Sequence, residues 1–193
     1  TEKDKADLMA SLPPHQRDAR TKGVPALGSG AVFQISEADI SCNPFEIPKH
    51  FKRLYGFDVG WNNTACAWGA YDAEADVIYV THTYKRGQAE PATHAQAIKE
   101  RGDWILGAID PASRGRAQAD GEQLIALYRG QGLNLILADN AVEAGIFDMY
   151  ERMATGRLKV FSTCFEFFAE YRLYRRDEKG KIVKQNDHVM DAA

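Results

Sequence analysis

The sequence predicts an α/β domain built on one mixed sheet, and three observations point to it. Three runs rich in β-branched and aromatic residues, joined by short connections, fill residues 53–84. From Pro91 onward helical and strand patterns alternate. Sixteen glycines and seven prolines in 193 residues are average usage, which excludes collagen-like and low-complexity chains.

Residues 1–50 read as a linker or arm, because Leu12-Pro13-Pro14-His15, Gly23-Val24-Pro25, Leu27-Gly28-Ser29-Gly30 and Asn43-Pro44 break any periodic pattern. One short strand is expected there, at Ala31–Ile35. Residues 51–193 form the regular domain. Its first three strands are expected at Arg53–Val59, Thr64–Tyr71 and Val77–Tyr84, with connections short enough for hairpins. A helix opens at Pro91, where a first-turn proline loses no hydrogen bond. A strand at Trp104–Asp110 follows, then a helix with Asp120 as N-cap and Glu122 and Gln123 in its first turn. Strands at Asn134–Ala138 and Leu158–Phe161 alternate with helices over Val142–Thr155 and Thr163–Tyr171.

Three meandering strands followed by βα units, with right-handed crossovers, place the fourth strand parallel to the first and beside it. This is a ribonuclease H-like mixed sheet flanked by helices. Actin-like and sugar-kinase folds share that core, so topology alone leaves the chemistry open.

Composition narrows the field. The chain is 45% apolar and 26% charged, with net charge −3, so any affinity for nucleic acid must be local. No apolar stretch approaches the roughly 20 residues that cross a bilayer, and no membrane partner is expected. The charged opening Thr1-Glu2-Lys3-Asp4-Lys5 has no apolar segment after it, so no secretory signal is expected. Cys42, Cys66 and Cys164 form no Cys-x-x-Cys pair and read as reduced thiols.

The chemistry lies in the carboxylates. Asp58 interrupts an apolar first strand, where a carboxylate costs several kcal/mol unless a cation or hydrogen bonds compensate it. Asp110 ends the fourth strand, and Pro111 stops that strand from continuing. If the two strands are neighbours, about 4.8 Å apart, both acids reach one end of the sheet. Near the C-terminus Asn186 or Asp187 caps a helix on which Asp187 and Asp191, four apart, share a face. Clustered carboxylates repel, and hard cations such as Mg²⁺ or Mn²⁺ relieve the repulsion. Two such ions, about 3.5–4 Å apart, suit in-line phosphodiester hydrolysis and turn an acidic pocket into a phosphate receptor. His188 and Asp139 are candidates to support the ligands from behind; Glu143 and Glu166 read as solvated helix positions.

A basic segment follows the last regular helix. Residues 171–184 carry Arg172, Arg175, Arg176, Lys179, Lys181 and Lys184 against Asp177 and Glu178, a local charge of +4. Gly180 supplies a turn, so a protruding β-hairpin is expected, with Tyr171 and Tyr174 packed beneath it. Its cations would contact duplex DNA through phosphates, without sequence preference and with strong salt dependence. Arg114 and Arg116, just after Asp110, are placed to touch a phosphate near the metals. No Gly-x-x-x-x-Gly-Lys-[Ser/Thr] and no His-Glu-x-x-His occur, so neither a P-loop motor nor zinc chemistry finds support.

Taken in order, the motifs resemble the C-terminal nuclease domain of the large terminase subunit of tailed double-stranded DNA bacteriophages. Gly23–Phe33 resembles the segment that links motor to nuclease in that family. Gly56-Phe57-Asp58-Val59-Gly60-Trp61 and Ala108-Ile109-Asp110-Pro111-Ala112-Ser113 resemble its first two acidic motifs. Glu170–Tyr174 with Asp177–Gly180 resembles its hairpin, and Asn186–Ala192 its last acidic motif. The resemblance implies that Asp58, Asp110 and Asp187 form a catalytic triad binding two Mg²⁺ or Mn²⁺ ions, with Asp191 a close fourth; either Asp187 or Asp191 is the direct ligand. It also implies an endonuclease that cuts concatemeric double-stranded DNA during packaging in the host cytoplasm. Implied partners are the ATPase motor domain of the same protein, a small terminase subunit and the portal of the prohead. The rival readings are a non-catalytic module that docks DNA or portal, and an actin-like or sugar-kinase phosphotransferase.

Overall fold

The computed structural model describes residues 30–110, 118–139 and 141–193. Along them run α1 (Glu37–Ile40), β1 (Ser41–Cys42), β2 (Lys52–Asp58), β3 (Thr64–Asp72), β4 (Val77–Arg86), α2 (Pro91–Lys99) and β5 (Leu106–Ile109). Then come α3 (Gln118–Gly130), β6 (Leu135–Leu137), α4 (Val142–Ala154), β7 (Leu158–Phe161), α5 (Phe165–Tyr171) and α6 (His188–Ala192). The strands form one sheet in the order β1-β7-β4-β3-β2-β5-β6. β2, β3 and β4 are an antiparallel meander, and β5 lies parallel to β2 with Phe57 opposite Ile109. The expected mixed sheet and the neighbouring first and fourth strands are both present.

The central strand shows why. β3 reads as a run of small and apolar residues because helices cover both of its faces. Ala65 and Ala67 enter one core with Val80, Val160, Phe167 and Val189. Cys66 and Trp68, on the other face, pack with Tyr55, Phe57, Ile98, Ile109 and Tyr128. Each fully buried large apolar side chain contributes about 1.5–3 kcal/mol, so the two cores together hold the sheet between layers of helix. At Gly56 the backbone of α6 comes so close that a Cβ would lie 1.7 Å from the Ala192 carbonyl oxygen. Only glycine admits that contact, which presses the terminal helix onto β2.

Four expectations change. The anticipated arm is part of the domain from residue 30 onward: Phe33 and Ile40 are buried in the core, and Ser41–Cys42 pairs with β7 as the edge strand. The strand expected at Ala31–Ile35 shrinks to one bridge between Ala31 and Arg175, because Phe33 turns inward to stack on Tyr171 and Tyr174, 5.7 and 5.9 Å between ring centroids. α3 begins at Gln118, so Asp120 lies inside the helix rather than at its cap. The hairpin is short, a bridge from Arg176 to Ile182 closed by the Asp177 N–H donating to the Lys181 carbonyl at 2.8 Å. Tyr171 belongs to α5, and both it and Tyr174 are buried in the core with Phe33.

Candidate active site

β2 and β5 end side by side. Their register pairs Phe57 with Ile109, and the Asp110 N–H donates to the Phe57 carbonyl at 3.0 Å, which brings Asp58 and Asp110 to the same end of the sheet. α6 packs across β2 and β3 at that end and brings Asp187 and Asp191 with it. Burial pushes the Asp58 carboxyl above its ordinary value; the His188 hydrogen bond opposes this, while the charges of Asp191 and Asp110 add to it. Asp191 is likewise raised, first by burial, against the lowering effect of Lys184. Asp58 and Asp191 are thus both disfavoured in their charged forms.

Each acid has a local partner. His188 Nδ1 hydrogen-bonds Asp58 Oδ2 at 2.8 Å. Asp191 accepts from Lys184 Nζ at 2.6 Å and from the Tyr174 hydroxyl at 3.3 Å. Asp187 is 3% exposed, and its Oδ2 lies 3.4 Å from Lys184 Nζ without a hydrogen bond. Among the described residues no three His, Cys, Asp or Glu side chains converge on a single point at metal-ligand spacing. The oxygen-only acids and the unsatisfied buried Asp187 oxygen do fit a hard divalent cation, which supplies the charge these carboxylates lack.

Asp187 occupies the N-cap position of α6 but makes no cap bond. Glu170, on α5, does that work from outside. Its Oε2 accepts from the Val189 and Met190 N–H groups at 2.6 and 3.3 Å, and its Oε1 from Lys85 Nζ at 2.6 Å. The Asp187 side chain is thereby left free of capping duty. Reading the sequence did not single out Glu170, because its partners lie 85 and 19 residues away. A signal was available in the helical spacing of Phe167, Glu170, Tyr171 and Tyr174, which sets a carboxylate in an apolar stripe.

The remaining candidates separate. Arg114 and Arg116 lie outside the described residues. Asp139 is exposed beyond β6 and makes no hydrogen bond with the other acids among the described residues. Arg172 forms a two-point ion pair with Glu37 at 2.6 and 2.7 Å, and Arg176 does the same with Glu143 at 2.9 and 2.6 Å. Lys184 is exposed and pairs with Asp191 at 2.6 Å. Arg175, Lys179 and Lys181 are exposed on the hairpin. Glu166 accepts a 2.6 Å hydrogen bond from Thr83, so neither it nor Glu143 is merely solvated.

Fold and site together define a ribonuclease H-like α/β domain in which acids from two adjacent strand ends and from α6 lie close enough to feel one another's charge. A family model described as Terminase RNaseH-like domain matches residues 55–193, and the chain belongs to that family. It is 39% identical to the large terminase subunits of Enterobacteria phage LP7 and Salmonella phage P22, with the whole chain aligned in both cases. It spans 42% and 40% of the length of those relatives. The P22 large terminase nuclease domain superposes with a TM-score of 0.80 and 38% identity, over 86% of this chain and 90% of that one. The large terminase nuclease of the thermophilic phage G20c, solved with bound magnesium, shares the fold with a TM-score of 0.58 and 17% identity over 86% and 95%. The resemblance read from the motifs therefore holds.

Proposed function

We propose that this domain is a metal-dependent endonuclease that hydrolyses phosphodiester bonds of concatemeric double-stranded phage DNA during packaging, with little sequence preference. One observation carries the reading: Asp58 and Asp110, 52 positions apart in the sequence, end adjacent parallel strands beside the helix that bears Asp187 and Asp191. The metals named with the G20c nuclease, magnesium and cobalt, are of the hard or borderline kind that such oxygen ligands take.

Asp58, Asp110 and Asp187 would hold two Mg²⁺ or Mn²⁺ ions, with Asp191 as fourth acid. Bound there, such ions lower the pKa of a water and neutralise charge on the leaving oxygen. The chain's own residues prepare the site. His188 hydrogen-bonds Asp58, and Glu170 anchors the start of the helix that carries Asp187 and Asp191. Arg175, Lys179 and Lys181 carry positive charge to the adjoining surface, where a duplex backbone would lie. The motor domain of a longer protein, a small terminase subunit and a portal ring are the proposed partners in the host cytoplasm. Among the described residues no helix is long and apolar enough to cross a membrane.

The test is supercoiled plasmid incubated with the purified chain and Mn²⁺, Mg²⁺ or chelator. Cleavage should require metal and fall at least about 10³-fold in Asp58→Asn and in Asp110→Asn. Cleavage that persists in both variants removes these acids from the reaction. Duplex binding retained with no cleavage by the unmodified chain under any metal selects the docking module.

A further inference from the structure

At the opposite end of β2 from Asp58, about 17 Å along the strand, a second polar site lies between the sheet and the C-terminal end of α2. A cavity of about 60 Å³ is lined by Arg53, Trp68, Thr81, His82 and Arg101, with Ile47 and Ile105 closing its apolar side. Trp68 is 4% exposed, and its indole N–H is buried with no hydrogen-bond partner; the Arg53 Nε–H is likewise buried and unpartnered. Unsatisfied buried donors cost about 1–3 kcal/mol each, so two of them on residues that line one cavity call for an acceptor there.

The charges agree with that demand. Among the described residues neither Arg53 nor Arg101 forms an ion pair with a carboxylate. Each guanidinium is instead held over an aromatic ring, Arg53 5.6 Å from the Trp104 centroid and Arg101 5.8 Å from that of Trp68. Arg53 also donates to the Ile47 carbonyl at 3.0 Å, which fixes its direction. The side-chain hydroxyl of Thr81 donates to the Trp68 carbonyl at 3.3 Å. Burial holds His82 below its ordinary pKa, and repulsion from Arg101 and Arg53 lowers it further, so near neutrality the ring adds no charge; its Nδ1 is engaged with the Thr81 hydroxyl at 3.1 Å. Fixed cations, oriented N–H donors and no carboxylate form a receptor for an oxyanion.

We propose that this cavity is a phosphate-binding site, separate from the acidic centre and independent of metal. Its volume exceeds that of one water and matches a single tetrahedral oxyanion. The phosphate is either free, as inorganic phosphate or the terminal group of a nucleotide, or a diester of the DNA backbone.

The indole N–H of Trp68 reports occupancy directly. In the ¹⁵N-labelled chain its signal is assigned by Trp61→Phe and Trp104→Phe, which remove the other two indoles. Sodium phosphate, added without metal and against sodium chloride of equal ionic strength, should shift that signal to saturation. Arg101→Gln, on an exposed side chain that the fold tolerates, should weaken the response about tenfold, as loss of one charge-assisted bond implies. Arg53→Gln should do the same, and Arg101→Gln decides alone if that variant does not fold. A shift with inorganic phosphate and a 5′-mononucleotide but not with a duplex lacking terminal phosphates assigns the free source. A shift at lower concentration with that duplex assigns the backbone. A Trp68 signal that does not move, moves equally with chloride, or moves unchanged in Arg101→Gln overturns the site, whatever the plasmid assay shows.

Discussion

Asp76, in the β3–β4 turn, and Asp58, at the far end of β2, are both carboxylates beside strand ends, and their surroundings are opposite. Asp76 receives Arg152 at 3.2 Å and the Tyr71 hydroxyl at 3.0 Å on one oxygen, and Arg157 at 2.9 Å on the other. The Arg157 bond first, then those from Tyr71 and Arg152, hold its carboxyl down at about 2. Asp58 has one hydrogen bond, from His188, while burial and two neighbouring acids push its carboxyl up. Around Asp76 the charges are matched within the chain and serve stability. The Asp58 end keeps acids together without enough cations, an arrangement that favours an external cation over internal stability.

That contrast can be broken by measurement. Asp58→Asn removes a charge the fold strains to hold, so chemical denaturation should show stability equal or raised while metal-dependent cleavage is lost; a marked destabilisation would make Asp58 a structural residue like Asp76. Glu170→Ala strands Lys85 and uncaps α6, and should cost about 3 kcal/mol in a denaturant titration. It should also weaken Mn²⁺ binding measured by calorimetry, with Glu170→Gln recovering part of both because the amide oxygen still accepts. Gly56→Ala forces α6 off β2, for about 1–3 kcal/mol and a drop in cleavage greater than the drop in folded fraction.

Smaller effects are expected at the Asp76 turn. Asp76 has φ of 52°, a conformation asparagine also accepts, so Asp76→Asn isolates the charge. Because the folded carboxyl lies below its ordinary 3.8, its contribution is present above that value and disappears as pH falls toward about 2. The variant should melt lower than the parent at pH 7 and converge with it near pH 2, with cleavage at neutral pH unchanged. On the hairpin, Arg175→Ala, Lys179→Ala and Lys181→Ala should each flatten the salt dependence of duplex binding by about one unit of log–log slope. Arg176→Ala should flatten it less, since Glu143 already neutralises that guanidinium.

Much of this was legible in the chain. β-Branched and aromatic residues marked β4, Pro91 marked the start of α2, and an aspartate inside an apolar run marked Asp58. The arm was misread because its few apolar residues, Phe33 and Ile40, carry no period; they enter the core one at a time, against partners from α5 and β7. The hairpin was overestimated because six cations in fourteen residues look like one surface. Three of them turn instead to Glu37, Glu143 and Asp191, partners that charge counting within the segment does not include.

Local order, strand identity and the types of side chain that do chemistry were determined by the sequence, since each depends on neighbours a few bonds away. Which acid is crowded, which is matched, that Glu170 caps a helix beginning eighteen residues later, and that Arg53 and Trp68 share a cavity were decided only in three dimensions. The reason is that charge and desolvation act through space: a carboxylate's character is set by what stands within a few ångströms of it, and distant segments of the chain supply those neighbours.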